Sequence, residues 1–82
     1  MRLPRNISGV ELVSLLRRYG YDATRQTGSH LRLTSRRMGR EHHISIPRHE
    51  SLKVGTLSSS LNDVASYLEA DRIAFLREIF GG

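Results

Sequence analysis

The 82-residue sequence contains no cysteine and no long apolar run. Without cysteine, neither a disulfide framework nor a cysteine-based zinc site can form. A membrane-spanning helix needs ~20 consecutive apolar residues, and no segment approaches that length. Residues 1–5 lead directly into a capped helix rather than into the apolar stretch of a signal peptide. These absences predict a soluble, cytoplasmic protein with no membrane partner.

The chain also has little room for a core. Residues 1–82 fit one small domain and are too few for a second one. Hydrophobic residues make up 38% of the chain, and a core of this size typically leaves only ~3–5 kcal/mol of net stability from packing. We therefore predict a single domain over residues 1–82, to which a partner or an oligomer adds stability.

Acidic side chains are scarce in the first half of the chain. Residues 1–49 hold ten Arg against three acids, a net charge of +7, whereas residues 50–82 hold three basic against five acidic residues, a net charge of −2. Arg binds phosphate with two parallel hydrogen bonds and stacks on bases. The first half is therefore predicted to bind nucleic acid. The alternatives are a basic surface that meets only solvent, or one that binds an acidic protein.

The first predicted helix has a signal at each end. Ser8 and Glu11 have the spacing of a capping box, and Gly20 is placed to end the helix as its C′ residue. Between these signals, apolar residues recur at helical spacing. The predicted buried stripe consists of Leu12, Val13, Leu15, Leu16 and Tyr19.

Three short strands and two further helices are predicted after it. The strands lie at about Tyr21–Gln26, His30–Ser35 and His42–Pro47, separated by turns that contain Gly28 and Gly39. The second helix has Thr56 as a candidate N-cap and an apolar stripe of Leu57, Leu61, Val64, Ala65 and Leu68. The third has Asp71 as its N-cap and an apolar side of Ile73, Leu76, Ile79 and Phe80.

The order α-β-β-β-α plus a C-terminal helix predicts a two-layer α+β domain. An antiparallel sheet can cover the apolar helix stripes with one face and leave its other face open to water. Strand alternation assigns to the open face His30, Arg32, Thr34, His43 and Ser45. We predict a register in which the turn at residues 36–40 places His30 opposite Ser45 and Arg32 opposite His43.

The series "GVELVSLLRRYGYDATRQTGSHLRLT" and "HHISIPRHESLKVGTLSSSLNDVA" resembles the HicA toxin family. The resemblance extends from about Ser8 to Phe80. Its distinctive pieces are Gly20, Arg25-Gln26, Gly28-Ser29-His30, Pro47 with His49, and Gly55-Thr56-Leu57. It implies a double-stranded-RNA-binding-domain-like fold, a messenger-RNA interferase activity, and a HicB antitoxin partner that holds the activity off. It also implies that His30, which occupies the family's Gly-Ser-His triplet, is the catalytic residue.

Elementary chemistry is compatible with that role for His30. A histidine titrates near neutrality, so it can accept the proton of an RNA 2′-hydroxyl at cellular pH. Arg25 and Arg32 are predicted to hold the phosphate and to offset the charge that develops on it. The proton donor to the leaving 5′-oxygen stays open, with His43 as a candidate and as a predicted RNA contact. The scheme needs no metal and no cofactor.

Other readings of the same residues remain open. His30 can instead be a solvated histidine on the wet face of a sheet, in a non-catalytic RNA-binding module or a protein-interaction domain of the same fold. A zinc site made from His42, His43 and His49 is disfavoured, because adjacent strand residues point to opposite faces. For His42 and His49 we predict a structural role through hydrogen bonds.

Overall fold

The computed structural model describes residues 3–81 and consists of a three-stranded antiparallel sheet with three helices. The elements in chain order are α1 Gly9–Arg17, β1 Asp22–Thr27, β2 His30–Ser35, β3 His42–Pro47, α2 Val54–Tyr67 and α3 Arg72–Ile79. The strands lie in the order β1-β2-β3. The predicted two-layer α+β architecture, similar to a double-stranded-RNA-binding domain with an added C-terminal helix, is confirmed.

The start of α1 is fixed by its cap and by a close approach to β3. The Ser8 hydroxyl accepts a hydrogen bond from the Glu11 N–H at 3.0 Å, and the Glu11 carboxylate accepts one from the Ser8 N–H at 3.0 Å. The predicted capping box is therefore present. The Gly9 N–H donates to the His49 carbonyl at 2.9 Å. A Cβ atom on Gly9 would collide with the Pro47 carbonyl oxygen, so only glycine lets the helix begin this close to β3.

The end of α1 is a Schellman motif around Gly20. The Gly20 N–H donates to the Arg17 carbonyl at 3.1 Å, and the Tyr21 N–H donates to the Leu16 carbonyl at 3.3 Å. Gly20 has φ +89°, a left-handed conformation that strains residues with a side chain. The predicted role of Gly20 is confirmed, and the turn delivers the chain directly into β1.

One cluster of buried residues lies between the helices and one face of the sheet. Leu33, Ile44 and Ile46 point into it from β2 and β3, as the alternation predicts. The predicted helix stripes supply most of the rest, namely Leu12, Val13, Leu16, Tyr19, Leu57, Leu61, Val64 and Ala65. The β1 strand is exposed along its whole length, so the buried side chains of the sheet come from β2 and β3.

Two details of the C-terminal helices differ from the prediction. The α2 helix begins at Val54 with Lys53 as its N-cap, so Thr56 as N-cap is wrong. The helical bond from the Leu57 N–H to the Lys53 carbonyl, 2.9 Å long, shows that the helix is already formed at Thr56. The helix also includes Gly55, where an added Cβ would meet open space.

The α3 helix has the predicted N-cap and buries Leu76 and Ile79 as predicted, but not Ile73. The Asp71 carboxylate accepts from the Ala74 N–H at 2.9 Å. Phe75 is buried, however, while Ile73 is 54% exposed. The Phe75 ring packs edge-on against the Tyr19 ring with centroids 5.0 Å apart, and this contact rotates Ile73 out to solvent.

The register between β2 and β3 is two residues away from the predicted one. The structure pairs His30 with Pro47 instead of with Ser45. It pairs Arg32 with Ser45 instead of with His43. The connection occupies residues 36–41, as the predicted strand bounds imply, and bends at Gly39 with φ +81°. Because side chains alternate with a period of two, a two-residue shift leaves every residue on its predicted face, so the hydrophobic pattern does not distinguish the two registers.

Candidate functional site on the open sheet face

The sheet face opposite the helices, hereafter the open face, carries polar and basic side chains from all three strands. Cross-strand pairing and hydrogen bonds assign to it Asp22, Thr24, Arg25, Thr27, His30, Arg32, Thr34, His43 and Ser45. The register of β1 shifts between Ala23 and Arg25. The extra residue of this bulge, Thr24, still contacts the face through its hydroxyl, which lies 2.8 Å from the Thr34 hydroxyl.

His30 stands at the start of β2, directly after a two-residue hairpin loop. Thr27 pairs with His30, so Gly28 and Ser29 form the loop, and Gly28 has φ +54° as a turn of this length requires at its first position. The Ser29 carbonyl accepts from the Arg48 N–H at 2.7 Å. This bond joins the loop to the chain after β3. The backbone of His30 is paired with Thr27 on one side and with Pro47 on the other. Its side chain is exposed.

Arg25 and Arg32 face each other directly across β1 and β2. Paired residues of this kind have Cβ atoms ~4.5–5.5 Å apart, and like charges so placed destabilise a sheet. Within residues 3–81, neither guanidinium donates a hydrogen bond to a protein acceptor or pairs with a carboxylate. His30 lies two residues along β2 from Arg32, ~7 Å away. The structure thus brings three of the four predicted site residues together around one exposed spot with unmatched positive charge.

His43 is the predicted site residue that the structure places elsewhere. It pairs with Thr34, which is four residues, or ~13 Å, along β2 from His30. Its Nδ1 lies 2.8 Å from the Thr34 hydroxyl and its Nε2 lies 3.3 Å from a Glu41 carboxylate oxygen. Held in this way, His43 does not reach a phosphate that His30 contacts. This separation does not favour His43 as the proton donor to the leaving oxygen, and its role in RNA binding stays a prediction.

Sequence reasoning missed the partner that holds His43. Glu41 bonds His43 with one carboxylate oxygen and the Arg36 guanidinium, at 3.4 Å, with the other. We call the connected side chains the Glu41 network, which consists of Thr24, Thr34, Arg36, Glu41 and His43. The signal was available, because residues two apart in an extended chain share a face, which puts Glu41 beside His43.

The neighbouring His42 faces the core and has a structural role, as predicted. Its Nδ1 lies 2.6 Å from the Tyr21 hydroxyl and its Nε2 lies 3.2 Å from an Asp63 carboxylate oxygen. Its ring stacks on that of Tyr67 with centroids 4.6 Å apart. Burial raises the pKa of Tyr21 above its usual value, which keeps the hydroxyl protonated in this contact. His42 thereby joins the sheet to α2.

His49 contributes to the fold through its backbone rather than through its ring. Its carbonyl accepts the Gly9 N–H, and its side chain is exposed. In the part of the chain that the structure describes, no three His, Asp or Glu side chains gather in a way that would hold a metal ion. In the same part, no helix is both long and apolar enough to cross a membrane.

A family model described as the HicA toxin of bacterial toxin-antitoxin matches residues 9–65. The matched segment runs from the first residue of α1 into the last turn of α2. It therefore contains the whole open face and leaves out α3. No curated protein and no solved structure was found to match the chain.

Proposed function

Since the chain belongs to the HicA toxin family, the toxins of bacterial toxin–antitoxin systems, we propose that it is an endoribonuclease that cleaves messenger RNA with His30 as the catalytic residue. The observation that carries this proposal is the position of His30. It is exposed on the open face, beside two arginines that face each other and that, within residues 3–81, pair with no acidic side chain. An anion between these arginines would relieve their repulsion, and the phosphate of an RNA strand is such an anion.

In the proposed reaction, His30 acts as general base. It takes the proton from a 2′-hydroxyl, and the freed 2′-oxygen attacks the adjacent phosphorus. The bond from phosphorus to the 5′-oxygen breaks, and that oxygen takes up a proton from an acid or from water. The products are a 2′,3′-cyclic phosphate and a 5′-hydroxyl end. No metal ion or cofactor enters these steps.

Arg25 and Arg32 are proposed to bind the phosphate and to stabilise the charge that builds up on its oxygens. Both arginines project from paired strand positions, so their guanidinium groups lie near the site where that charge develops. One general base typically contributes ~10²–10⁴-fold to a rate, so we expect a modest nuclease. Such an activity suits a toxin that acts on abundant RNA and that a partner must silence.

An antitoxin is implied by the family, and we propose that it is a protein of the HicB type. The most direct way to silence the site is to cover His30 and its two arginines, so the partner is expected to present acidic side chains to the open face. Charge complementarity of this kind mainly speeds association. We propose that residues 1–82 form one toxin domain, which acts in the cytoplasm.

The test uses the purified chain, a labelled messenger RNA and a chelator of divalent ions. We expect RNA fragments that end in a 2′,3′-cyclic phosphate. The matched control is the same sequence made as DNA, which lacks the attacking 2′-hydroxyl and should stay intact. Equal cleavage of both strands would overturn the mechanism, and RNA that is bound but never cut would favour a non-catalytic RNA-binding module.

A further inference from the structure

Within the Glu41 network, the side chains of Arg36 and His43 bind an anion, the carboxylate of Glu41. Two donors of different chemistry, the His43 Nε2 and the Arg36 guanidinium, converge on the two oxygens of one carboxylate at 3.3 and 3.4 Å. The Thr34 hydroxyl fixes the other ring nitrogen of His43 at 2.8 Å. The oxygens of a phosphate can accept the same hydrogen bonds, from a ring N–H and from a guanidinium, as the carboxylate of Glu41.

The carboxylate is held loosely enough to be exchanged. The side chains of Glu41 and Arg36 are 47% and 77% exposed, and an ion pair with this exposure contributes only ~0–1 kcal/mol. If the Glu41 side chain rotates away, water hydrates its carboxylate. A phosphate that enters keeps the donors of Arg36 and His43 satisfied.

The network also lies on the path of a strand bound at His30. A shallow groove on the open face is lined by Thr24, Arg25, Arg32, Thr34, Arg36, Glu41 and His43. It therefore connects the Arg25–Arg32 pair with the network along the direction of β2. Thr34 lies four residues, ~13 Å, from His30, which is several times the ~3.4 Å rise per nucleotide of a stacked strand.

We propose that the Glu41 network is a second phosphate site for the RNA strand, more than one nucleotide away from the cleaved bond, and that the Glu41 carboxylate occupies it in the free chain. The RNA displaces Glu41 when it binds. Glu41 is thus an internal competitor that weakens RNA binding, and it does so only for strands long enough to extend from His30 to His43. This inference rests on the proposed function, because it takes the strand to be RNA with one phosphate at His30.

The test measures the dissociation constant of a fluorescent hexaribonucleotide and of a dinucleotide at low salt. All proteins carry His30→Ala, so that the RNA stays uncut. We expect Glu41→Gln to tighten hexanucleotide binding ~2–5-fold, the equivalent of a surface ion pair of ~0.4–1 kcal/mol. Binding of the dinucleotide, which is too short to reach His43, should stay unchanged.

Two further variants make the result specific. Glu69→Gln removes the same charge from the turn between α2 and α3, away from the sheet, and should leave hexanucleotide binding unchanged. Adding Arg36→Gln to Glu41→Gln should abolish the gain, because the phosphate then loses the guanidinium that Glu41 had occupied.

The outcomes separate this inference from the proposal on which it rests. Equal tightening by Glu41→Gln and Glu69→Gln, or equal tightening for both RNA lengths, would mean that only net charge matters and would overturn the second site. If the chain binds no RNA in any variant, the proposed function itself fails.

Discussion

At the scale of single residues, the open face contains a pair of like charges that lowers the stability of the fold. Arg25 and Arg32 are placed directly opposite each other, where like charges raise the free energy of the folded state. Natural sequences keep such conflicts mainly where a ligand needs them. The neighbouring Glu41 network shows the contrast, because there each charge has an opposite charge within 3.4 Å.

The first prediction follows from this conflict. Arg32→Gln should raise the free energy of unfolding by ~0.2–1 kcal/mol at low salt, since it removes the repulsion with Arg25. The gain should shrink at high salt, because salt screens charges on an exposed surface. Urea unfolding at two salt concentrations measures both effects.

The control for this prediction is Arg77→Gln. Arg77 lies in the last turn of α3, where a cation is favourable, so this variant should be slightly less stable than the parent. If Arg32→Gln loses as much stability as Arg77→Gln, the facing arginines do not repel each other and the strain argument for a phosphate site fails.

At the scale of elements, local signals decide where helices and strands lie, and packing decides how they pair. The ends of α1 and the bounds of β2 and β3 agree with the prediction because caps, glycine turns and alternation act within a few residues. The β2–β3 register and the exposed side of Ile73 did not follow from the sequence. The hydrophobic pattern fits both registers of β2 and β3 equally well, and the exposure of Ile73 depends on the packing of Phe75 on Tyr19, a contact distant in the chain. For the site, the sequence indicated His30, Arg25 and Arg32, whereas the separation of His43 required the register.

The second prediction tests the junction of α1 with β3. Gly9→Ala should lower the free energy of unfolding by ~1–3 kcal/mol, because the new Cβ collides with the backbone oxygen of Pro47, which cannot move without shifting β3. The matched control is Gly55→Ala in α2, where a Cβ meets open space and should stabilise the helix by ~0.5–1 kcal/mol. Denaturant unfolding of both variants decides the point, and equal effects of the same sign would contradict it.

The third prediction concerns the contact between α1 and α3. The Tyr19 hydroxyl donates to the Glu78 carboxylate at 2.8 Å. Burial, the hydrogen bond and the negative charge of Glu78 together raise the pKa of Tyr19 from 10.0 to about 12. In the unfolded chain the tyrosine loses its proton at lower pH than in the folded chain, so the folded state binds more protons between these values. This contribution to stability is complete below pH 10 and is lost as the pH rises towards about 12.

Tyr19→Phe tests that pH dependence. The variant should be ~1 kcal/mol less stable at neutral pH, because it lacks the hydrogen bond. The difference from the parent should narrow as the pH rises through the window above. Unfolding free energies at a series of alkaline pH values provide the measurement, and a constant difference across the series would show that the Tyr19 hydroxyl does not titrate as described.

At the scale of the whole molecule, the basic half and the acidic half of the sequence form different parts of the fold. The sheet and its basic connections come from the first half of the sequence, with net charge +7, and α2 and α3 come from the acidic second half. The helical layer buries the core and leaves the other side of the sheet open. If the proposed function is correct, an RNA strand and an acidic antitoxin compete for this face, and covering it silences the site without altering the fold.

The most direct test of the central claim compares three proteins on a labelled messenger RNA: the parent, His30→Ala, and Arg77→Ala as a control outside the matched family segment. Because His30 is exposed on the open face, its removal should leave the melting temperature nearly unchanged. We predict that the parent and Arg77→Ala cut the RNA, while His30→Ala binds it and leaves it intact. A folded His30→Ala protein that cuts RNA as fast as the parent would contradict the account.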